Sequence, residues 1–70
     1  MNQRTKSVEH TNVDIDGTLF NIFIIYSYAQ DKVYFDIEDL SSGKTKVLFE
    51  YGTHERDLKD TMDFIVEKFH

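Results

Sequence analysis

Hydrophobic and polar residues alternate along most of this chain with the two-residue period of half-buried β-strands. The alternation is plain in Val13-Asp14-Ile15, in Phe20-Asn21-Ile22 and in Phe35-Asp36-Ile37. No proline interrupts it. Three turn signals divide the alternating stretch into four strands. Asp16-Gly17 is a strong hairpin signal, because glycine accepts the positive φ that a type I′ turn demands. It predicts the pairs Ile15–Thr18, Val13–Phe20 and Thr11–Ile22. Gln30-Asp31 is a second turn without glycine, pairing Tyr26 with Phe35 and Ile24 with Ile37. Ser41-Ser42-Gly43 reads as a three-residue loop with a G1 bulge, which pairs Leu40 with Lys44, Ile37 with Val47, Phe35 with Phe49 and Val33 with Tyr51. A slip that put Phe35 opposite Glu50 would divide the apolar set between the two faces, so the bulged loop is preferred.

After Gly52 the period lengthens to that of a helix. Thr53 is the expected N-cap, Glu55 and Asp57 suit the first turn, and Lys68 and His70 suit the last. Leu58, Met62, Ile65, Val66 and Phe69 fall on one helical face. The expected architecture is therefore α+β: a four-stranded antiparallel β-meander (ββββα) with one C-terminal helix packed on one face. Residues 1–7 read as an N-terminal tail and 8–70 as a single domain.

The predicted registers sort the strand residues onto two faces. One, to be covered by the helix, carries Val13, Ile15, Phe20, Ile22, Ile24, Tyr26, Tyr28, Val33, Phe35, Ile37, Val47, Phe49 and Tyr51. The other carries rows formed by Val8, Ile25, Asp36 and Leu48, by His10, Phe23, Glu38 and Lys46, and by Ser27, Tyr34 and Glu50. Its bulky members, Phe23, Ile25, Tyr34 and Leu48, have no helix left to cover them. They suggest a homodimer seam, since contiguous exposed apolar surface commonly marks an interface and dimerisation stabilises small domains. On the helix, Phe64 points away from the apolar stripe into a ridge of Asp57, Asp60, Asp63 and Glu67, where it would serve as a partner anchor.

Composition narrows the function. Seventy residues make one small core, with little interior from which to carve a deep cleft. The absence of cysteine removes disulfides, thiolate nucleophiles and cysteine zinc sites. No apolar run is long enough to span a membrane, and residues 1–7 lack the apolar core of a secretory signal, so a cytoplasmic location is expected. Thirteen acidic against eight basic residues give a net charge of −5, which argues against direct binding to nucleic acid or to an anionic membrane.

Catalytic patterns are absent. His10, His54 and His70 have no metal-binding spacing, and no cofactor or metal is expected. Ser41 and Ser42 lack the strand–turn–helix setting of a nucleophile. Asp36 and Glu38 share a face about 6.7 Å apart, but no concavity is evident from the sequence to raise either pKa. The run Asp14-Ile15-Asp16-Gly17 lacks the further ligands of a calcium loop. No enzyme is expected.

What stands out instead is ordered acidity: Asp57, Asp60, Asp63 and Glu67 on the helix, Asp36, Glu38 and Glu50 on the sheet. Carboxylates held at intervals of roughly 5–7 Å on a rigid scaffold could occupy a groove that normally receives DNA. In size, acidity, lack of cysteine and sheet-plus-helix build, the chain resembles the small phage- and plasmid-encoded inhibitors, among them DNA mimics that block nucleoid or defence proteins. That resemblance implies a non-enzymatic inhibitor whose partner is a basic DNA-binding protein of the host. Two alternatives are a homodimeric structural or adaptor domain and an immunity- or antitoxin-like inhibitor of a basic toxin.

Overall fold

The computed structural model describes residues 4–68 and contains four strands and a helix: β1 (Thr5–Ile15), β2 (Thr18–Ser27), β3 (Lys32–Asp39), β4 (Thr45–Tyr51) and α1 (Leu58–Lys68). The strands form one open antiparallel sheet in the order β1-β2-β3-β4, and the helix follows at the C-terminal end. This is the expected ββββα meander. The first turn takes its expected form, whereas a bulge in β1 and the later connections depart from theirs.

Asp16 and Gly17 both adopt positive φ, 53° and 84°, as a type I′ turn requires. The Gly17 N–H donates to Asp14 Oδ1 at 2.9 Å, tightening the turn. Ile15–Thr18 and Val13–Phe20 pair as expected. Beyond them β1 is bulged between His10 and Val13, with Asn12 at φ 54°. The Asn12 N–H donates to the Asn21 side-chain oxygen at 3.0 Å, so the bulge is fastened to the neighbouring strand. The extra residue shifts the pairing: His10, rather than Thr11, lies opposite Ile22, and Val8 opposite Ile24. Val8 and His10 thereby turn to the core face, and Val8 packs on the core.

The β2–β3 turn is longer than two residues. Ser27 pairs with Lys32, and Asp31 adopts φ 52°. Ile24 lies opposite Phe35 and Tyr26 opposite Val33, a two-residue shift from the expected register. An even shift preserves faces.

The β3–β4 turn changes faces. Asp39 Oδ1 accepts from the N–H groups of Ser41 and Ser42, at 2.8 and 3.3 Å, and the Asp39 N–H donates to the Lys44 carbonyl. Asp39 thus closes a four-residue loop over 40–43, where a three-residue loop was expected. One more residue in the loop rotates β4 by half a period. Phe35 faces Leu48, not Phe49, and Ile37 faces Lys46, not Val47. Leu48 and Glu50 turn inward. Val47, Phe49 and Tyr51 turn outward, 65, 53 and 74% exposed.

The core consists of Val13, Ile15, Phe20, Ile22, Ile24, Tyr26, Val33, Phe35, Ile37 and Ile65, with Val8, Leu48, Met62 and Phe64 packed against it. Thr53 does not cap the helix; its hydroxyl donates to Asp31 Oδ1 at 3.3 Å. Asp57 is the cap, since its Oδ1 accepts from the Asp60 N–H at 2.9 Å and its carbonyl from the Thr61 N–H. The buried stripe is correspondingly rotated. Thr61 and Ile65 are at its centre, while Leu58 and Val66 are 37 and 39% exposed. Thr61 can sit there because its hydroxyl donates to the Asp57 carbonyl at 3.0 Å, leaving no polar atom unpaired. Phe69, expected on the stripe, and His70 lie outside the described residues.

Strand β1 begins at Thr5, so residues 5–7 belong to the sheet rather than to a tail. The Tyr28 N–H donates to the Arg4 carbonyl at 2.9 Å. Lys6 Nζ meets Glu55 Oε1 at 2.8 Å, and the Tyr28 hydroxyl donates to the same carboxylate. The hydrogen bond from Lys6, and then its charge, hold the Glu55 carboxyl below its ordinary 4.5. A carboxyl whose folded pKa is depressed adds stability above its unfolded pKa and loses it as pH falls through the folded value. Glu55→Gln is therefore expected to flatten the acid side of the stability curve below about pH 4.5, read by urea unfolding at successive pH values. Both groups are exposed, so the effect is small and fades with added salt.

Candidate functional site

The face of the sheet opposite the helix is the principal uncovered surface, and the three observed registers define its rows. Ser7, Ile25, Tyr34 and Phe49 lie across one row, and Glu9, Phe23, Asp36 and Val47 across the next. Asn21, Glu38 and Thr45 form a third. The surface is graded from aromatic to acidic.

At the aromatic end, Phe49 lies between Tyr34, with centroids 6.2 Å apart, and Tyr51, edge-on at 5.9 Å. Lys32 Nζ stands 5.2 Å from both the Phe49 and Tyr51 ring centroids, within cation–π range. The Tyr34 hydroxyl donates to Gln30 at 2.7 Å, which holds that ring at the turn. These rings contact each other across the outer face.

At the acidic end, Glu9, Asn21, Phe23, Asp36, Glu38 and Thr45 line a shallow concavity of about 290 Å³. The bulge helps to shape it: Asn21 accepts from the bulged Asn12 N–H with its oxygen and donates to Glu38 Oε1 at 3.3 Å with its nitrogen. Asp36 and Glu38 share this face, as their spacing predicts, and Glu9 joins them because the bulge brings it opposite Phe23. Among the described residues, neither Glu9 nor Asp36 has a salt-bridge partner. Also among them, no three His, Cys, Asp or Glu side chains gather as a metal site.

The other expected site residues are distributed differently. Asp57, which caps α1, and Asp60, Asp63 and Glu67 on the helix are exposed, in the layer away from the outer sheet face. They and the sheet carboxylates therefore form two tracks, not one. Asp63 is bonded to Lys59 at 3.1 Å, and Glu67 lies 3.7 Å from Lys68. Asp57 has a structural duty as cap, which Asn can perform and Ala cannot. Asp57→Ala should cost about 1 kcal/mol in urea unfolding and Asp57→Asn much less, so only the second tests its charge.

Phe64 is not a free anchor. It is half-buried against Phe35, with centroids 4.6 Å apart, and beneath the Arg56 guanidinium. Glu50 leaves the sheet array altogether, turning inward to an ion pair with Arg56. The expected seam also loses Leu48 to the core side, whereas Phe23, Ile25 and Tyr34 remain on the outer face. Sequence reasoning missed Glu9, Val47, Phe49 and Tyr51 as members of this surface. The signal for Glu9 was Asn12, a residue tolerant of positive φ. The signal for the other three was Asp39, whose carboxylate can cap the following N–H groups.

No protein-family model, curated protein or solved structure matches the chain. Function must be read from the surface itself.

Proposed function

We propose that this chain is a non-catalytic acidic interaction protein whose outer sheet face docks on the basic, DNA-binding surface of a partner protein and masks it. One observation carries the reading. Glu9 and Asp36, carboxylates without salt bridges among the described residues, flank Phe23 on the same uncovered face as the ring cluster of Tyr34, Phe49 and Tyr51. Charge of that kind steers a lysine- and arginine-rich partner into contact, while aromatic groups supply the desolvated anchors that hold it. The chain's net charge of −5 supports the same direction of steering. The helix acids play the lesser part, because Asp63 and Glu67 already have lysine neighbours and face the other way.

Tagged protein and a Glu9→Gln/Asp36→Asn/Glu38→Gln variant are immobilised and exposed to nuclease-treated bacterial lysate, then eluted with rising salt. Each captured protein is next assayed for DNA retention with and without the free chain. The expected result is a basic DNA-binding protein, released at moderate salt, which the chain displaces from DNA and the triple variant does not. Capture that ignores salt, or that the triple variant retains in full, overturns the reading.

A further inference from the structure

We propose that two copies of this chain pair edge to edge through β4, joining their sheets into one of eight strands; the inference stands independently of the function proposed above. The sheet is open, and its two edges are unlike. Edge strand β1 is interrupted by the bulge at Asn12, a device that discourages further pairing. Edge strand β4 pairs with β3 over its whole length without a register shift and contains no proline. Among the described residues no strand pairs with its outer edge.

The hydrogen-bond phase of that edge follows from its two ends. The Asp39 N–H donates to the Lys44 carbonyl and the Gly52 N–H to the Asp31 carbonyl, at 2.8 and 2.7 Å. Antiparallel bonding alternates, so the even-numbered residues of β4 bond to β3. The backbone groups of Thr45, Val47, Phe49 and Tyr51 then point outward from the edge. A second β4 can use them only if odd residues meet odd residues. Full overlap of all seven residues requires Leu48 on the two-fold axis, and this register satisfies that condition. Val47 then exchanges hydrogen bonds with Phe49 of the second copy, and Thr45 with its Tyr51.

The side chains agree with the same register. On the inner face Leu48 meets Leu48, while Lys46 lies opposite Glu50 of the second copy, and Glu50 opposite its Lys46. Opposite charges meet twice and like charges never, which is the self-complementarity an isologous interface needs. On the outer face Val47 packs beside Phe49 twice, so the two exposed ring clusters become one continuous surface. The two-fold axis stands perpendicular to the sheet, so both helices lie on the same side and the shared outer face stays open.

Sedimentation equilibrium of the full chain should show a reversible monomer–dimer equilibrium with a Kd in roughly the micromolar range. In Val47→Pro the ring removes an N–H that β3 does not use, a placement proline tolerates on an edge. With two symmetric hydrogen bonds lost, each worth about a fivefold factor, its dimer Kd should rise roughly thirtyfold. The chain has no cysteine, so a register test is clean. An equimolar mixture of Val47→Cys and Phe49→Cys, oxidised mildly, should yield the mixed disulfide well above the statistical ratio, in which random coupling already makes it twice either homodimer. A wild-type chain that stays monomeric at millimolar concentration overturns the proposal. So does a folded Val47→Pro variant that dimerises normally, or a cysteine mixture that yields only the statistical ratio. If Val47→Pro does not fold, the cysteine mixture decides alone.

Discussion

Phe35→Ala should leave much of the protein unfolded at room temperature, whereas Phe49→Ala should unfold at nearly the wild-type urea midpoint. Phe35 is 0% exposed at the centre of β3, between Leu48 on one strand and Ile24 on the other, with Phe64 stacked above it. Truncating such a ring removes its transfer free energy and leaves a cavity, about 3–5 kcal/mol together. A domain of this size commands about the same in total. Phe49 is 53% exposed and touches its neighbours only across the outer face. Its loss should cost less than about 1 kcal/mol. The contrast distinguishes registers, because a three-residue β3–β4 loop would put both rings in the core and make the two variants equally damaging. Urea unfolding followed by circular dichroism, at protein concentrations too low for self-association, measures both.

That pair of phenylalanines also shows what was legible in the chain and what was not. The order of elements, the Asp16-Gly17 turn and the inward set on β2 and β3 follow from period and turn chemistry alone. They are robust because an error of two residues, such as the one at the β2–β3 turn, leaves every side chain on its face. β4 is different. Val47, Phe49 and Tyr51 form a more apolar alternate set than Lys46, Leu48 and Glu50, so hydrophobicity points to the wrong face. What outweighs it is local and tertiary. Asp39 closes the longer loop with its side chain, and Arg56 supplies the counter-charge that lets Glu50 face inward. The β1 bulge has the same character: one asparagine fastened to another moves Glu9 onto the outer face and Val8 off it. The candidate site is therefore made largely by two single-residue shifts, each invisible to a reading of period. The helix rotation has a third cause, the competition between Thr53 and Asp57 to cap it, which Asp31 settles by binding the Thr53 hydroxyl.

Arg56→Ala is expected to cost about 2–3 kcal/mol. The Arg56 side chain is only 14% exposed, and its guanidinium lies 5.4 Å from the Phe35 ring centroid and 5.1 Å from that of Phe64. It ion-pairs with Glu50, itself 31% exposed. Its backbone N–H donates separately to the Tyr26 hydroxyl at 3.0 Å and survives any side-chain change. Alanine removes the packing of the stem and the attraction to two rings, and leaves an inward carboxylate without its cation. The partial exposure of Glu50 keeps the penalty below that of a fully buried pair. Arg56 Nε is buried with no hydrogen-bond partner, so the arginine carries a desolvation cost of its own. The double variant Arg56→Met/Glu50→Gln removes both charges while methionine keeps the volume against the two rings. It should be markedly more stable than the sum of its single changes, because neither charge is then left alone. A double-mutant cycle in urea reads that coupling directly. Additive single effects would mean that Arg56 acts through its stem and rings alone, and that Glu50 turns inward because of the loop rather than the ion pair.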